Sequence, residues 1–153
     1  MTKLRSVFIA ALLLGIGVFI SSCSPADEAG FSGPRIEGPK PWTHLDFVRH
    51  EEDFRFAVVA DRSGGERPGV FENAIEKINL LRPEFVMSVG DFISGYTEDQ
   101  TQILREFDEF DMILRALDAP FFRVAGNHDI SNGPAMKIYN QRYGRTYYHF
   151  VYR

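Results

Sequence analysis

Three short runs of apolar residues, rich in Phe, Val and Ala, predict three buried β-strands. They cover residues 54–60, 85–89 and 121–125. Near-continuous apolar runs of this length are typical of strands that are covered on both faces. Each run stops at a cluster of polar residues and glycines, so the sequence also marks where each strand ends.

Two periodic patterns between these runs predict helices. Apolar residues recur every three or four positions over 70–81, and Pro83 ends that pattern just before the second strand. A second apolar stripe covers 103–117 and begins near Thr97 or Asp99. The order β-α-β-α-β predicts an α/β fold with a mostly parallel sheet.

The beginning of the chain has the pattern of a secretory signal peptide. Lys3 and Arg5 form a positive start, and an uncharged, largely apolar run of 14 residues follows over 7–20. That run is shorter than the roughly 20 residues that a membrane-spanning helix needs. Residues 20–23, Ile-Ser-Ser-Cys, resemble the lipobox of bacterial lipoproteins, in which the cysteine is lipidated and becomes the first mature residue.

The resemblance implies that residues 1–22 are a lipoprotein signal peptide and that Cys23 carries the lipid. Ser24 after the cysteine favours anchoring at the outer membrane or the periplasmic face of a bacterial cell envelope. A plain signal peptide with an unrelated cysteine, or a membrane-buried helix end, is the alternative. Residues 23–41 contain four of the eight prolines and predict a tether, which leaves 42–153 for the folded domain.

Composition and charge exclude several classes of protein. The chain is 44% apolar and 25% charged, which is typical of a globular domain and not of a disordered tail. Its formal net charge is −4 and no basic cluster is present, so binding of nucleic acid through phosphates is not expected. A single cysteine excludes an internal disulfide.

Polar residues follow all three predicted strands. Asp61 follows the first strand, Asp91 the second, and Asn127, His128 and Asp129 the third. In a parallel sheet these strand ends lie at the same edge, where α/β proteins bind ligands. Carboxylate, amide and imidazole groups together favour a divalent metal such as manganese, iron or zinc. Each aspartate alone is typical of a helix cap or a turn, but three such clusters at successive strand ends favour a binding site.

These residues resemble the first three motifs of the calcineurin-like metallophosphoesterases. The matching elements are Asp61, Gly90-Asp91 and the four residues 126–129, Gly-Asn-His-Asp, spaced about 30 to 36 residues apart. The resemblance implies the N-terminal half of a four-layer α/β/β/α sandwich with two divalent metal ions. It also implies hydrolysis of phosphomonoesters or phosphodiesters by a metal-activated water.

The resemblance also implies a role for each matching residue. Asp61 would bind the first metal, Asp91 would bridge both metals, and Asn127 would bind the second metal through its amide oxygen. His128 would stabilise the transition state or protonate the leaving oxygen, and Asp129 would orient the His128 ring. Such a general acid typically contributes about 10²- to 10⁴-fold to the rate.

Two features depart from the family pattern. The first motif is usually Asp-x-His, but Ser63 stands where that histidine would be. Arg62 and Gly64 beside it are weaker candidates for binding phosphate, with a solvated loop and a simple turn as the alternatives. The family's C-terminal histidine ligands are also missing, and His149 lies in an aromatic run, 147–152, that predicts a strand.

His44 and His50 match no motif of the family either. Because the C-terminal ligands are missing, we expect this chain to be the N-terminal part of a longer, lipid-anchored phosphoesterase. Two alternatives stay open: a catalytically inactive lipoprotein that uses the scaffold to bind a ligand, and a truncated fragment.

Overall fold

The computed structural model describes residues 30–153, so the predicted signal peptide and Cys23 lie outside the described residues. The elements, in chain order, are β1 (Phe31–Ser32), β2 (Phe56–Val59), α1 (Val70–Leu81), β3 (Phe85–Ser88), α2 (Gln100–Leu114), β4 (Phe121–Phe122), α3 (Gly133–Tyr143) and β5 (Val151–Tyr152). No helix among residues 30–153 is both long enough and apolar enough to cross a membrane.

The central sheet is parallel, and its strands lie in the order β2-β3-β4. Phe56 of β2 pairs with Phe85 of β3, and Val86 of β3 pairs with Phe121 of β4. Each strand is followed by a helix, which is the arrangement that parallel strands require. The prediction of an α/β fold with a parallel sheet is therefore confirmed.

The two predicted helices form where the apolar periodicity placed them. α1 covers the same residues as its pattern, and Arg82 in a left-handed conformation ends it before Pro83. α2 begins after Asp99, whose side chain accepts hydrogen bonds from the Thr101 and Gln102 backbone N–H groups. Both helices pack their apolar faces on one side of the sheet, in a core that includes Ile75, Phe107, Phe110 and Phe121.

A third helix, α3, completes this core, and the apolar pattern did not predict it. Its buried residues are Ala135, Ile138, Tyr139 and Tyr143. These positions have the spacing of a helix face, but two of them are tyrosines and one is alanine, so the helix shows little amphipathic contrast in its sequence. Asn132 caps its start by accepting a hydrogen bond from the Ala135 backbone N–H at 2.9 Å. α3 matters for the site because it continues directly from the loop after β4.

The other side of the sheet carries an aromatic cluster, and this cluster corrects the predicted tether. Phe31, within the predicted tether of 23–41, is only 3% exposed and packs against Trp42 and Phe122. Its strand, β1, pairs antiparallel with β5 near the other end of the chain. Residues 30–41 are thus part of the folded domain because the ring of Phe31 gains an apolar environment there.

Three of the predicted strands are shorter or less covered than expected. The third strand, β4, is only two residues long, and of the aromatic run 147–152 only β5 is a strand. In β2, Phe56 and Val58 are 49% and 56% exposed, so this strand is not covered on both faces as predicted. Phe56 and Val58 lie on the same face of β2, which is the edge strand of the sheet and pairs only with β3 among residues 30–153.

Candidate functional site

The loops that follow β2, β3 and β4 meet at one edge of the sheet. The Asp61 backbone N–H donates to the Gly90 carbonyl at 3.3 Å, and the Ser63 N–H donates to the Asp91 carbonyl at 3.1 Å. Gly90 lies so close to the third loop that a Cβ on it would be 2.1 Å from the Gly126 nitrogen. The three polar clusters predicted from the sequence therefore belong to one site.

Two of the predicted metal ligands have an unusual backbone. Asp61 has a φ of 51° and Asp91 a φ of 60°, which is the left-handed region that residues other than glycine rarely adopt. Asp61 lies two residues after the end of β2, and Asp91 lies three residues after the end of β3. Backbone strain of this kind costs about 1–3 kcal/mol per residue and concentrates at functional sites. The conformation points to aspartates that are held for a purpose other than local stability.

Asp91 is the link between the second and third loops. Its Oδ1 accepts a hydrogen bond from the His128 backbone N–H at 3.0 Å. The same oxygen lies over Gly126, where a Cβ would approach it to 2.2 Å. Any larger residue at position 126 would displace the Asp91 carboxylate or its backbone. Asp61, in contrast, is exposed, and its carboxylate makes no hydrogen bond or ion pair within residues 30–153.

Asp129 is fully buried beneath this site, where its carboxylate accepts four backbone hydrogen bonds. One oxygen accepts from Asp91 and Gly126 at 2.8 Å each, and the other accepts from Phe92 at 2.7 Å and Ile93 at 3.3 Å. Burial raises the pKa of Asp129 to about 6, while the four N–H donors oppose that rise. Asp129 is therefore ionised at pH 7 and ties the second loop to the third.

His128 has a different partner from the one implied by the family resemblance. Its Nδ1 is 2.7 Å from the Ser94 carbonyl oxygen, whereas the Asp129 carboxylate is occupied by backbone N–H groups. Because a carbonyl oxygen only accepts hydrogen bonds, Nδ1 must carry the proton. Nε2 then faces Gly64, where a Cβ would be 3.5 Å away. The ring is thus oriented by a backbone carbonyl, and not by Asp129.

Asn127 is exposed at the rim and is held by a residue that the sequence did not single out. Its Nδ2 donates to the Tyr96 hydroxyl at 2.9 Å. The Tyr96 ring also meets the His128 ring edge-on, with centroids 4.8 Å apart. Tyr96 and Ser94 lie in an irregular loop between β3 and α2. No periodicity or motif marks such a loop, so sequence reasoning had no signal for either residue.

The residues after Asp61 are mostly engaged in holding the loops together. Ser63, at the position of the expected histidine, is buried, and its hydroxyl donates to the Asp91 carbonyl at 3.0 Å. Arg62 donates from NH1 to the Phe92 carbonyl at 2.8 Å. A cavity of about 510 Å³ opens beside Asp61 and Arg62 and reaches the start of α1. This cavity could receive a ligand next to Asp61.

The oxygen donors at this edge suit a divalent cation in kind. The Asp61 and Asp91 carboxylates and the Asn127 amide oxygen are hard ligands of the type that Mn²⁺ and Mg²⁺ accept. Among residues 30–153, no group of three or more His, Cys, Asp or Glu side chains is arranged to hold a metal ion. His149 is exposed. The imidazole of His44 pairs with Asp46, and the imidazole of His50 contacts the Arg82 carbonyl. The part of the site that is present therefore consists of these three oxygen donors and His128.

Comparison with known proteins agrees with this geometry. Residues 54–152 match the family model described as calcineurin-like phosphoesterase. A mouse protein, serine/threonine-protein phosphatase CPPED1, is 30% identical over 98 residues, an alignment that covers 56% of this chain and 30% of the relative. The chain thus spans about a third of the length of that relative. No solved structure matches the chain significantly.

Proposed function

Because the chain belongs to the calcineurin-like phosphoesterase family, we propose that it hydrolyses a phosphomonoester or a phosphodiester in a metal-dependent reaction. One observation carries the proposal. Asp61, Asp91, Asn127 and His128 come from three separate strand ends and lie at a single edge of the sheet. A shared edge at the carboxyl ends of parallel strands is where α/β proteins bind their ligands.

Three residues would hold the metal ions. Asp61 would bind the first ion, Asp91 would lie between both, and the Oδ1 atom of Asn127 would bind the second. Two cations about 3.5–4 Å apart lower the pKa of a bound water and neutralise charge on the attacking and leaving oxygens. The proposal includes manganese, iron and zinc, of which manganese best suits these three oxygen donors.

His128 would supply the proton for the leaving group. With Nδ1–H held by the Ser94 carbonyl, Nε2 is the ring atom that is available to take up and release a proton. It faces Gly64, the residue whose missing side chain leaves room beside the ring. We propose that the substrate phosphate is bound beside His128 Nε2 at the open edge of the Gly64 loop. Arg62 NH1 donates to the Phe92 carbonyl, so a contact from Arg62 to a phosphate oxygen would use its remaining N–H groups.

The substrate class is proposed from the relative and not from the site. The matched mouse protein is named a serine/threonine-protein phosphatase, and a phosphomonoester on a protein is one substrate that fits this name. The cavity of about 510 Å³ beside Asp61 would hold a part of the substrate beyond its phosphate.

Hydrolysis of an aryl phosphate by the full chain tests the proposed function. We expect Mn²⁺ to stimulate the rate and a chelator to abolish it. His128→Ala should lower the rate by about 10²- to 10⁴-fold, because it removes the proposed general acid. His149→Ala is the matched control, since His149 is exposed and lies outside the site. An unchanged rate in His128→Ala would show that the assigned chemistry is wrong.

A second candidate is a scaffold that binds a ligand without hydrolysing it. The Ser63 hydroxyl favours this alternative, because it donates to a backbone carbonyl in place of a histidine ligand. This candidate predicts that inorganic phosphate binds equally well with and without a chelator and that no ester is hydrolysed. Loss of phosphate binding in the chelator would exclude it.

We further propose that the protein is anchored to the bacterial cell envelope by a lipid on Cys23. The support is the pattern of residues 1–23 in the sequence. Expression in a bacterium with labelled palmitate should label the parent protein, and Cys23→Ala should remove the label. A parent protein without label would contradict the anchor.

A further inference from the structure

We propose that Tyr96 is a positioning residue that orients two members of the site at once, the Asn127 amide and the His128 ring. This inference rests on the proposed function, because it assumes that Asn127 binds a metal ion. Tyr96 has no counterpart in the motifs that carry the family resemblance. It is identified by its contacts alone.

The loop that carries Tyr96 is fixed at several points. The Tyr96 N–H donates to the Ser131 hydroxyl at 2.9 Å, and the Gly95 N–H donates to Glu106 at 3.1 Å. The Thr97 carbonyl accepts from the Asn132 side chain at 2.8 Å. Its backbone therefore has hydrogen bonds on both sides of Tyr96, which has a left-handed φ of 51°.

The side chain itself remains at the surface despite this anchoring. Tyr96 is 65% exposed, although most large aromatic residues of this chain are buried. A strained backbone that presents an exposed aromatic ring gives the fold little hydrophobic stabilisation. The hydroxyl instead contacts Asn127 and the ring contacts His128, and these contacts explain why the side chain is held at the surface.

The hydroxyl restrains the Asn127 side chain in the orientation that leaves its amide oxygen available to a metal ion. The amide nitrogen Nδ2 donates to the Tyr96 oxygen at 2.9 Å, which leaves Oδ1 as the metal donor on the other side of the amide. Only the amide oxygen has lone pairs for a cation. Because a tyrosine hydroxyl can accept or donate a hydrogen bond, its contribution is to hold the side chain in place, and this restraint is lost without it. Partners that orient a ligand in this way typically change metal affinity by about 10- to 100-fold.

The Tyr96 ring also packs against the His128 ring, whose Nδ1 is held by the Ser94 carbonyl. The two ring planes are 84° apart with centroids separated by 4.8 Å, which is an edge-to-face contact. Together with the Nδ1 hydrogen bond, this contact limits rotation of the imidazole about its side-chain bonds. Tyr96 thus acts on the metal ligand through its hydroxyl and on the general acid through its ring, and the two effects can be separated by mutation.

Isothermal titration of Mn²⁺ into the full chain tests the hydroxyl. Tyr96→Phe keeps the ring and should weaken Mn²⁺ binding by about 10-fold or more, while the urea midpoint stays unchanged because the side chain is exposed. In an Asn127→Ala background, Tyr96→Phe should have no further effect on the affinity. Tyr147→Phe is the matched control, because Tyr147 is 83% exposed and lies outside the site.

Turnover at saturating Mn²⁺ tests the ring. Tyr96→Leu should lower kcat below that of Tyr96→Phe, because only Leu removes the edge-on contact with His128. If the parent binds Mn²⁺ and Tyr96→Phe binds it equally well, the role of the hydroxyl is overturned and the proposed function stands. If the parent binds no Mn²⁺, the proposed metal site fails and this inference fails with it.

Discussion

The contact between Gly126 and Asp91 makes a sharp prediction about a single methyl group. A Cβ at position 126 would lie 2.2 Å from Asp91 Oδ1 and 2.5 Å from the Asp91 backbone nitrogen. Because one of these atoms belongs to the backbone, it cannot move away as the end of a flexible side chain could. Gly126→Ala must therefore push the second and third loops apart.

The expected cost of Gly126→Ala follows from three contributions. Overpacking against fixed atoms typically costs about 1–3 kcal/mol. Loss of the hydrogen bond from the His128 N–H to the Asp91 carboxylate adds about 1.5–3 kcal/mol, because the acceptor is charged. Alanine in place of glycine returns about 0.4–1 kcal/mol by restricting the unfolded chain. We expect Gly126→Ala to lower the free energy of unfolding by about 2–4 kcal/mol.

Urea unfolding followed by tryptophan fluorescence measures this change, because Trp42 is the only tryptophan and is 9% exposed. Gly133→Ala is the matched control. Gly133 begins α3, and a Cβ there would meet no atom within 4 Å. This variant should be as stable as the parent or more stable by up to about 1 kcal/mol. Equal stability of Gly126→Ala and Gly133→Ala would refute the close approach of the two loops.

Three further predictions concern Asp129, Tyr139 and Tyr152. Asp129→Ala removes the acceptor of four backbone N–H groups and should lower the free energy of unfolding, measured in urea, by about 3 kcal/mol. A decrease below about 0.5 kcal/mol would contradict the role of Asp129 in joining the loops. Tyr139→Phe removes a buried hydroxyl that has no hydrogen-bond partner within residues 30–153. It should leave the free energy of unfolding unchanged or raise it by about 1 kcal/mol. A clear decrease in the free energy of unfolding would show that the hydroxyl has a partner. Burial and Glu84 raise the pKa of Tyr152 to about 12, so its contribution to stability is complete below pH 10 and is lost as the pH rises toward 12. Unfolding at pH 9 to 12 should show a smaller decline in Tyr152→Phe than in the parent, and equal declines would refute this assignment.

The sequence predicted those parts of the fold that depend on local periodicity. α1 follows from the apolar spacing over 70–81, and α2 follows from its stripe and the capping residue Asp99. α3 was not predicted because its buried face consists of one alanine, one isoleucine and two tyrosines, which give a weak apolar stripe. The burial of Phe31 was not predicted because its strand partner, Tyr152, lies about 120 residues away along the chain.

The candidate site, like the fold, could be predicted from the sequence only in part. The meeting of Asp61, Asp91 and Asn127 could be predicted, since parallel strands bring their carboxyl ends to one edge. The partners of Asp129 and His128 could not, because they are backbone N–H and carbonyl groups whose positions depend on the loop conformation. Tyr96 was missed for the same physical reason: its contacts depend on a left-handed backbone in an irregular loop.

Anomalous diffraction from a crystal of the full protein soaked in Mn²⁺ would locate the proposed metal ions. We expect anomalous density in contact with the carboxylates of Asp61 and Asp91, and a second peak beside the Asn127 amide oxygen. A crystal that shows no manganese at this edge of the sheet, or shows it only elsewhere, would disprove the proposed metal site.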